Sequence, residues 1–443
     1  MRVAITGTLA AMVCVLPAGS ASGAHAPDPA AGPGFTPTTS RAASAWTPLT
    51  PSPLARTEVS AAAVGRSIYV VGGYGTGGVP SSQVERYDVD TDSWSLVAPM
   101  PRPLNHTAAI AYAGDLYLVG GYTGFPFSLG IGTGGIADST DSFLRYDPQS
   151  DTWSEQPPAP TKRAATAAAV IGDRLYVAGG ADSFQPLTDF EIYDFGTGTW
   201  STGPELPLAT EHTAGAAAGG DYYVVGGRPG YGQPNNEFVQ RYDPETGGWQ
   251  RVADLLRARG GLGAVGVCGG VVAFGGEDPR SGPPGVIPET ERYRPSADTW
   301  ESLPEMPTPR HGLGAAAVGD RVYALEGGPI TFGAVSNTAE ALDLDCGGPT
   351  AGASGDSKAK TTLAVKPRRA PAGKLVRFRF TIRSAAPECR AGVLVRFAGK
   401  AKRTTPSGGR VIAKRVRRPG RRWARIAPPG CEPARARINI LPG

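Results

Sequence analysis

The chain is short of the signatures that mark most enzymes. It has no Gly-x-Ser-x-Gly, no glycine-rich phosphate loop, no His-Glu-x-x-His and no Cys-x-x-Cys, so no common nucleophile, nucleotide or zinc-protease motif announces a reaction. Beyond its first residues no segment reaches 18 consecutive apolar residues, so no membrane-spanning helix is expected. A helical composition is also missing: 62 glycines and 42 prolines with regularly spaced aromatics describe turn-rich β structure. Acidic residues are nearly absent from one end, with 24 Lys/Arg and 3 Asp/Glu in residues 351–443 against 20 and 36 in residues 1–350. A body of net charge −16 joined to an end of +21 implies two domains with different surface chemistry.

Residues 1–26 read as a signal peptide, with Arg2 before an apolar stretch from Val3 to Leu16 and small residues from Ala18 to Ala26. Such a segment leads to the expectation that the protein is secreted. Val13 before Cys14 does not suit a lipoprotein signal. Export leaves four cysteines, Cys268, Cys346, Cys389 and Cys431, and an even number in an exported chain favours disulfides over metal. Residues 27–45, rich in Pro, Ala, Thr and Ser, form a disordered linker.

The dominant feature is a repeat. Trp46, Trp94, Trp153, Trp200, Trp249 and Trp300 are followed 26 residues later by Gly72, Gly120, Gly179, Gly226, Gly275 and Glu326, and the next residue is always Gly. Tyr87, Tyr146, Tyr193, Tyr242 and Tyr293 each stand seven residues before the next Trp. Within a unit, Ser60–Val64, Ile68–Val71, Gln83–Asp88 and Trp94–Val97 read as four antiparallel strands. Four strands in about 50 residues describe a propeller blade. The alanine-rich first strand suits the crowded axis, and the fixed aromatics are read as packing.

The Gly-Gly pair, the later Tyr and the Trp seven residues beyond it resemble Kelch repeats over residues 46–346. The fold expected is all-β: a six-bladed Kelch propeller plus a small C-terminal β-sandwich. Trp46 has no upstream Tyr, and Leu342 has Pro349 where a seventh Trp would stand. The Trp46 strand is therefore expected beside Ala339–Leu344, closing the ring and covering its edges. The resemblance implies that the variable loops between second and third strands share a face with the connections between blades. The longest, 122–142, carries Phe125 and Phe127, which could stack on a sugar or fill their own loop. Variable loops on a rigid scaffold are where recognition usually sits.

Ten residues after each Trp stand Arg56, Leu104, Arg163, Thr210, Arg259 and Arg310. By resemblance to Kelch-type binding modules, Arg56, Arg163, Arg259 and Arg310 would ring the mouth of the central channel and bind an acidic ligand bidentately, although pairing with Asp or Glu is the plainer alternative. Two residues further on are Glu58, His106, Ala165, His212, Gly261 and Gly312. His106 and His212 could face the channel with Glu58. Exported sugar oxidases on Kelch propellers hold copper with two His and a Tyr cross-linked to Cys. Here Cys268 and Cys346 fall at strand ends opposite the histidines, so no metal and no cofactor is assigned. A Cys268–Cys346 disulfide between neighbouring blades and a free-thiol state both remain open.

Residues 347–360 read as a linker. Residues 361–443 alternate apolar and basic residues, as in Val376-Arg377-Phe378-Arg379-Phe380, and look like a small immunoglobulin-like sandwich. Cys389 and Cys431 would bond there. Its basic clusters suit an anionic cell-surface polymer, while no nucleic-acid signature is present. The first functional reading is a secreted, non-catalytic, monomeric recognition protein that binds a protein or glycan on the loop face. The alternative is an exported carbohydrate-active enzyme, a sugar oxidase or sialic-acid mutarotase. Convergence of His106, His212 and a carboxylate on one cavity would favour the enzyme.

Overall fold

The structure, a computed structural model, describes residues 45–124, 138–346 and the strands between 361 and 441. Residues 1–44, where a signal peptide is expected, residues 347–360, expected as a linker, and Phe125, Phe127, Cys389 and Cys431 lie outside the described residues. The chain divides into two compact units, residues 1–347 and 348–443.

The first unit holds six four-stranded antiparallel sheets. Blade 1 runs Ser60–Val64, Ser67–Val71, Val84–Asp88 and Ser93–Val97. Blades 2 to 5 repeat this order and begin at Ala108, Ala167, Ala214 and Gly263. Blade 6 has Gly314–Val318, Arg321–Leu325 and Ala339–Asp343, and takes Thr47–Pro48 as its outer strand. Thr47 pairs with Ala341 and Pro48 with Glu340, so the two ends of the repeat region share one sheet. Among the described residues the only helical element is the 3-10 turn Pro279–Ser281, and no helix is long and apolar enough to cross a membrane.

The first strands of successive blades pack side by side about the axis, and Ser60–Val64 lies against Gly314–Val318 to complete the circle. Their small residues permit this approach. A methyl group on Gly266 would sit 1.9 Å from the Ala217 carbonyl oxygen, so a larger residue there would push two blades apart. Further out, each third-strand Tyr pairs across the sheet with the fourth-strand Trp, as in Tyr87–Trp94 and Tyr293–Trp300. Each of the six repeat tryptophans donates its indole N–H to a carbonyl of the preceding blade. Trp94 reaches Thr50, Trp153 Ala98, Trp200 Pro157, Trp249 Pro204 and Trp300 Ala253, all at 2.8–2.9 Å. Trp46 does the same to Pro304 at 2.9 Å and is buried with Phe274, Met306 and Leu342.

The four repeat arginines do not ring the channel mouth. They are among the largest fully buried side chains, and each is held by a glutamate of its blade's third strand. Arg56 pairs with Glu85 at 2.6 Å, Arg163 with Glu191 at 2.9 Å, Arg310 with Glu340 at 2.8 Å, and Arg259 with Glu291. Arg56, Arg163 and Arg259 also donate to the carbonyl of the first Gly of their Gly-Gly pair, at 2.8–3.0 Å. The guanidinium groups therefore clamp the ends of the second strands. The remaining two blades carry the substitution on both sides: Leu104 faces a blade with Leu144, and the Gln240 side chain bonds Leu208 beside Thr210. Glu326 replaces the first Gly in the last unit and keeps its left-handed backbone, φ 56°. Its carboxylate receives the Arg56 Nε at 2.9 Å while Glu85 shares the same guanidinium. Burial, and Glu85 alongside, push the Glu326 carboxyl well up.

Cys268, in the turn between the first two strands of blade 5, and Cys346, just past the third strand of blade 6, form a disulfide with Cα atoms 4.9 Å apart. It ties the last described residue of the propeller to its neighbouring blade.

The second unit contains a three-stranded sheet, with Leu375–Ser384 between Thr361–Lys366 and Gly409–Arg415. Its five-stranded sheet runs Arg369–Pro371, Ala434–Leu441, Gly420–Ile426, Leu394–Phe397 and Lys400–Arg403. Leu363, Val365, Phe378, Phe380 and Ile438 are buried, matching the alternation of apolar and basic residues.

Two outcomes follow. Trp46→Ala removes a buried indole and the bond that closes the ring; a loss of about 3–5 kcal/mol, seen as aggregation or a large fall in melting temperature, is expected. An unchanged melt would refute the closure. Arg163→Leu alone strands the buried Glu191 and should cost about 3–5 kcal/mol. Arg163→Leu with Glu191→Leu, the pair that blade 2 already carries, should recover most of it in urea unfolding.

Candidate functional site

The site is built from one short frame used six times. In each blade the segment entering the first strand bridges the residue that follows the Gly-Gly pair: Thr57 with Tyr74, Asn105 with Tyr122, Ala164 with Ala181, Glu211 with Arg228, Gly260 with Glu277 and His311 with Gly328. The next residue of the entering segment is Glu58, His106, Ala165, His212, Gly261 or Gly312, and all six adopt left-handed backbone, with φ between 51° and 60°. For a side chain other than glycine this conformation costs of order 1 kcal/mol or more, so the frame, not local preference, sets it. These slots are linked by backbone bonds: His106 N–H donates to Glu58, Ala165 to His106, Gly261 to His212, Gly312 to Gly261, and Val59 to Gly312. The slot residues thus encircle the axis at the channel mouth.

Above them lies a cavity of about 340 Å³. Its wall is aromatic, from Tyr74, Tyr122, Phe184, Tyr231 and Phe332, and its floor is polar, from Glu58, His106, Glu211, His212, Arg228, Glu277 and His311. Entering segments and second-to-third-strand loops both contribute, so both emerge on this face. Three carboxylates meet one guanidinium here, a balance opposite to that of a site for an acidic ligand.

The polar floor is tightly ordered. His106 Nε2 lies 3.1 Å from His212 Nε2 and 3.2 Å from Glu58 Oε2. Ala165, the slot between the two histidines, is small enough to let them meet. The other nitrogen of each ring is fixed. His106 Nδ1 lies 2.7 Å from Asn105 Oδ1, and the Asn105 amide nitrogen donates to the Tyr122 and Gly124 carbonyls. His212 Nδ1 donates to Glu211, whose other oxygen accepts from Arg228. Arg228 reaches on to Glu277 at 3.2 Å. His311 sets Nδ1 and Nε2 against the Gly328 and Phe332 carbonyls at 3.0 and 3.1 Å, with Glu58 at 3.5 Å.

Burial pushes His106 down to about 4, against the pull of Glu58, so this ring is neutral at pH 7. Burial would raise the Glu58 carboxyl, but His106, His311 and His212 outweigh it and hold it below the usual range. Glu211 is likewise opposed by burial and held at about 2 by His212 and Arg228. Burial and the nearby carboxylates push the Tyr74 and Tyr122 phenols well up, leaving them as neutral hydroxyls.

Of the residues singled out from sequence, Glu58, His106 and His212 are brought together. Arg56, Arg163, Arg259 and Arg310 lie beneath the site in their ion pairs. Phe125 and Phe127 are outside the described residues. Tyr74, Tyr122, Phe184, Glu211, Arg228, Tyr231, Glu277, His311 and Phe332 were not foreseen. The residue after each Gly-Gly pair and the one before each slot vary freely inside an otherwise fixed repeat, and that variation was the available signal.

Comparison with known proteins places the chain in a family. The KLHDC2/KLHL20/DRC7 Kelch-repeats domain matches residues 105–328 and the Kelch motif matches residues 55–101. The chain belongs to the Kelch-repeat family. It is 31% identical over 100 residues, 22% of its length, to Kelch-like ECH-associated protein 1B of Danio rerio, and 28% identical over 194 residues, 44% of its length, to Kelch-like protein 36 of Bos taurus. These matches span 17% and 24% of the two relatives, so the chain covers less than a quarter of either. Among solved structures, that of YjhT superposes with a TM-score of 0.55 at 16% identity, covering 66% of this chain and 95% of that one. At that identity the likeness is one of fold.

Glu211 supplies a pH test. Its carboxyl is held at about 2 in the fold against about 4.3 in an unfolded chain. Its contribution, of order 3 kcal/mol, is complete above pH 4.3 and lost as pH falls toward 2. Glu211→Gln should flatten the loss of stability over that window in acid unfolding; an unaltered acid limb would contradict the assignment.

Proposed function

We propose that this protein is a secreted recognition scaffold that holds part of a protein or glycan ligand in the aromatic-walled cavity at the channel mouth. The Kelch propeller is a fold typically used as a protein-binding scaffold. The observation that carries the reading is the cavity itself: about 340 Å³, with Tyr74, Tyr122, Phe184, Tyr231 and Phe332 around a floor of Glu58, Glu211 and Glu277. Ring faces and carboxylates together favour an inserted group that is hydroxyl-rich or cationic. An acidic group would meet three carboxylates against one guanidinium, that of Arg228. The second unit, read as a small basic sandwich, would hold the protein near an anionic polymer at the cell surface.

The convergence of Glu58, His106 and His212 favours a second reading, an exported carbohydrate-active enzyme on the same scaffold. An ionised carboxylate beside a neutral imidazole is a usable base. The fold alone does not choose between the two.

One screen addresses both. Neutral and cationic glycans and peptides are tested for binding to the full chain, and each sugar that binds is followed by NMR for turnover. Binding that falls tenfold or more in Tyr231→Ala with Phe332→Ala, without turnover, is expected. Turnover lost in Glu58→Gln would establish the second reading. Preference of the metal-free chain for acidic ligands, or binding indifferent to the aromatic wall, would overturn the cavity as the recognition site.

A further inference from the structure

We propose that Glu58, His106 and His212 form a binding site for a divalent transition-metal ion of the zinc class. The inference does not rest on either reading of the cavity above.

Three observations carry it. First, the donor atoms converge: a carboxylate oxygen and two imidazole nitrogens lie within 4.8 Å of one another. Two of the three separations, 3.1 Å between the nitrogens and 3.2 Å from His106 Nε2 to Glu58 Oε2, suit ligands of one ion, and the third, from Glu58 to His212, is within 4.8 Å. Two ligands about 2.05 Å from a tetrahedral zinc ion stand roughly 3.3 Å apart.

Second, the hydrogen-bond partners decide where the ring protons sit. The Asn105 amide nitrogen is committed to the Tyr122 and Gly124 carbonyls. Its oxygen must then accept from His106 Nδ1, which leaves the lone pair on Nε2. Glu211 accepts from His212 Nδ1 with the same result. Two nitrogen lone pairs and an anionic oxygen thus point at one another with no proton assigned among them. That arrangement is repulsive until a cation lies between them. A second ring nitrogen donating to a carboxylate or amide oxygen is how metal-binding histidines are oriented and made more basic.

Third, the surroundings hold the ligands still. His106 and Glu58 sit on left-handed backbone, as does His212, at φ 51°, 52° and 51°. The chain from His212 through Glu211 and Arg228 to Glu277 is continuous. Two nitrogens and one oxygen suit zinc, cobalt or nickel better than magnesium or calcium, which take oxygen ligands. Three protein ligands leave a position toward the cavity, where water or an oxygen of the bound ligand completes the sphere.

The test uses the full chain stripped with a chelator, dialysed and titrated calorimetrically with Zn²⁺ alone, with Mg²⁺ as comparison. One zinc per chain and no stoichiometric magnesium are expected. His106→Gln, His212→Gln and Glu58→Gln should each weaken zinc at least 100-fold. Asn105→Ala, which removes the orienting acceptor together with its bonds to the Tyr122 and Gly124 carbonyls, should weaken it about tenfold. Leu96→Ala, exposed on the outer strand of blade 1, should leave it within twofold. Melting of each metal-free variant checks that it folds. The X-ray absorption spectrum of zinc on the wild-type chain is a readout that needs no variant, and a shell of nitrogen and oxygen with two imidazoles is expected. The proposal is overturned if the folded wild-type chain binds no stoichiometric zinc, if zinc survives the His106→Gln, His212→Gln double substitution, or if sulfur appears in the shell.

Discussion

Each blade of this protein is fastened to the one before it by an indole N–H on a backbone carbonyl, and the ring exists because the sixth such bond comes from the start of the repeat region. Trp46 donates to Pro304 and lies against Leu342, at the position that Trp94 to Trp300 occupy in the other blades. The constraint is geometric. Five blades in sequence fix the gap that the sixth must fill, and only a strand from the opposite end of the repeat can fill it without leaving an open edge. The disulfide between Cys268 and Cys346 secures the other strand end of the same seam. On the other side, Arg56 joins Glu85 of blade 1 to Glu326 of blade 6, so blade 6 is tied to both of its neighbours.

The site depends on that closure. Its donors come from blades 1, 2 and 4, and His311 of blade 6 approaches Glu58 of blade 1 only because the ends meet. The frame beneath is repetitive and the chemistry above it is not. Six equivalent slots hold Glu, His, Ala, His, Gly and Gly in one backbone conformation. An identical scaffold therefore presents a different side chain at each step, and the asymmetric set on the floor of the cavity is the sum. Small residues at three of the slots leave room for the functional ones to converge, which is why two histidines from non-adjacent blades touch.

Much of the fold was legible because it is periodic. The Trp-to-Gly interval, the Tyr seven residues before each Trp and the unpaired Trp46 sufficed to count blades and to name the closing strand. The arginines were misplaced for an instructive reason. Their spacing correctly put them at the entrance of the inner strands, but depth is not written in spacing. The deciding signal was on another strand: Glu85, Glu191, Glu291 and Glu340 occur where Arg occurs, while Leu144 and Gln240 accompany Leu104 and Thr210. Reading the two positions as a pair reveals a buried clamp. Reading Arg alone suggests a ligand ring. His106, His212 and Glu58 were legible as slot residues, yet their contact was not, since it requires the curvature of the closed ring and the smallness of Ala165. The wall of the cavity was hidden because its residues fall in loops of unequal length with no shared motif.

Closure is tested most directly by hydrogen exchange at the tryptophan indoles, followed by ¹⁵N NMR on the folded chain. The Trp46 indole N–H, with its side chain 5% exposed and its bond to Pro304 at 2.9 Å, should be protected and should become exchangeable in denaturant together with Trp300. Exchange of Trp46 at the rate of a free indole while Trp300 stays protected would contradict the closed ring and the site built on it.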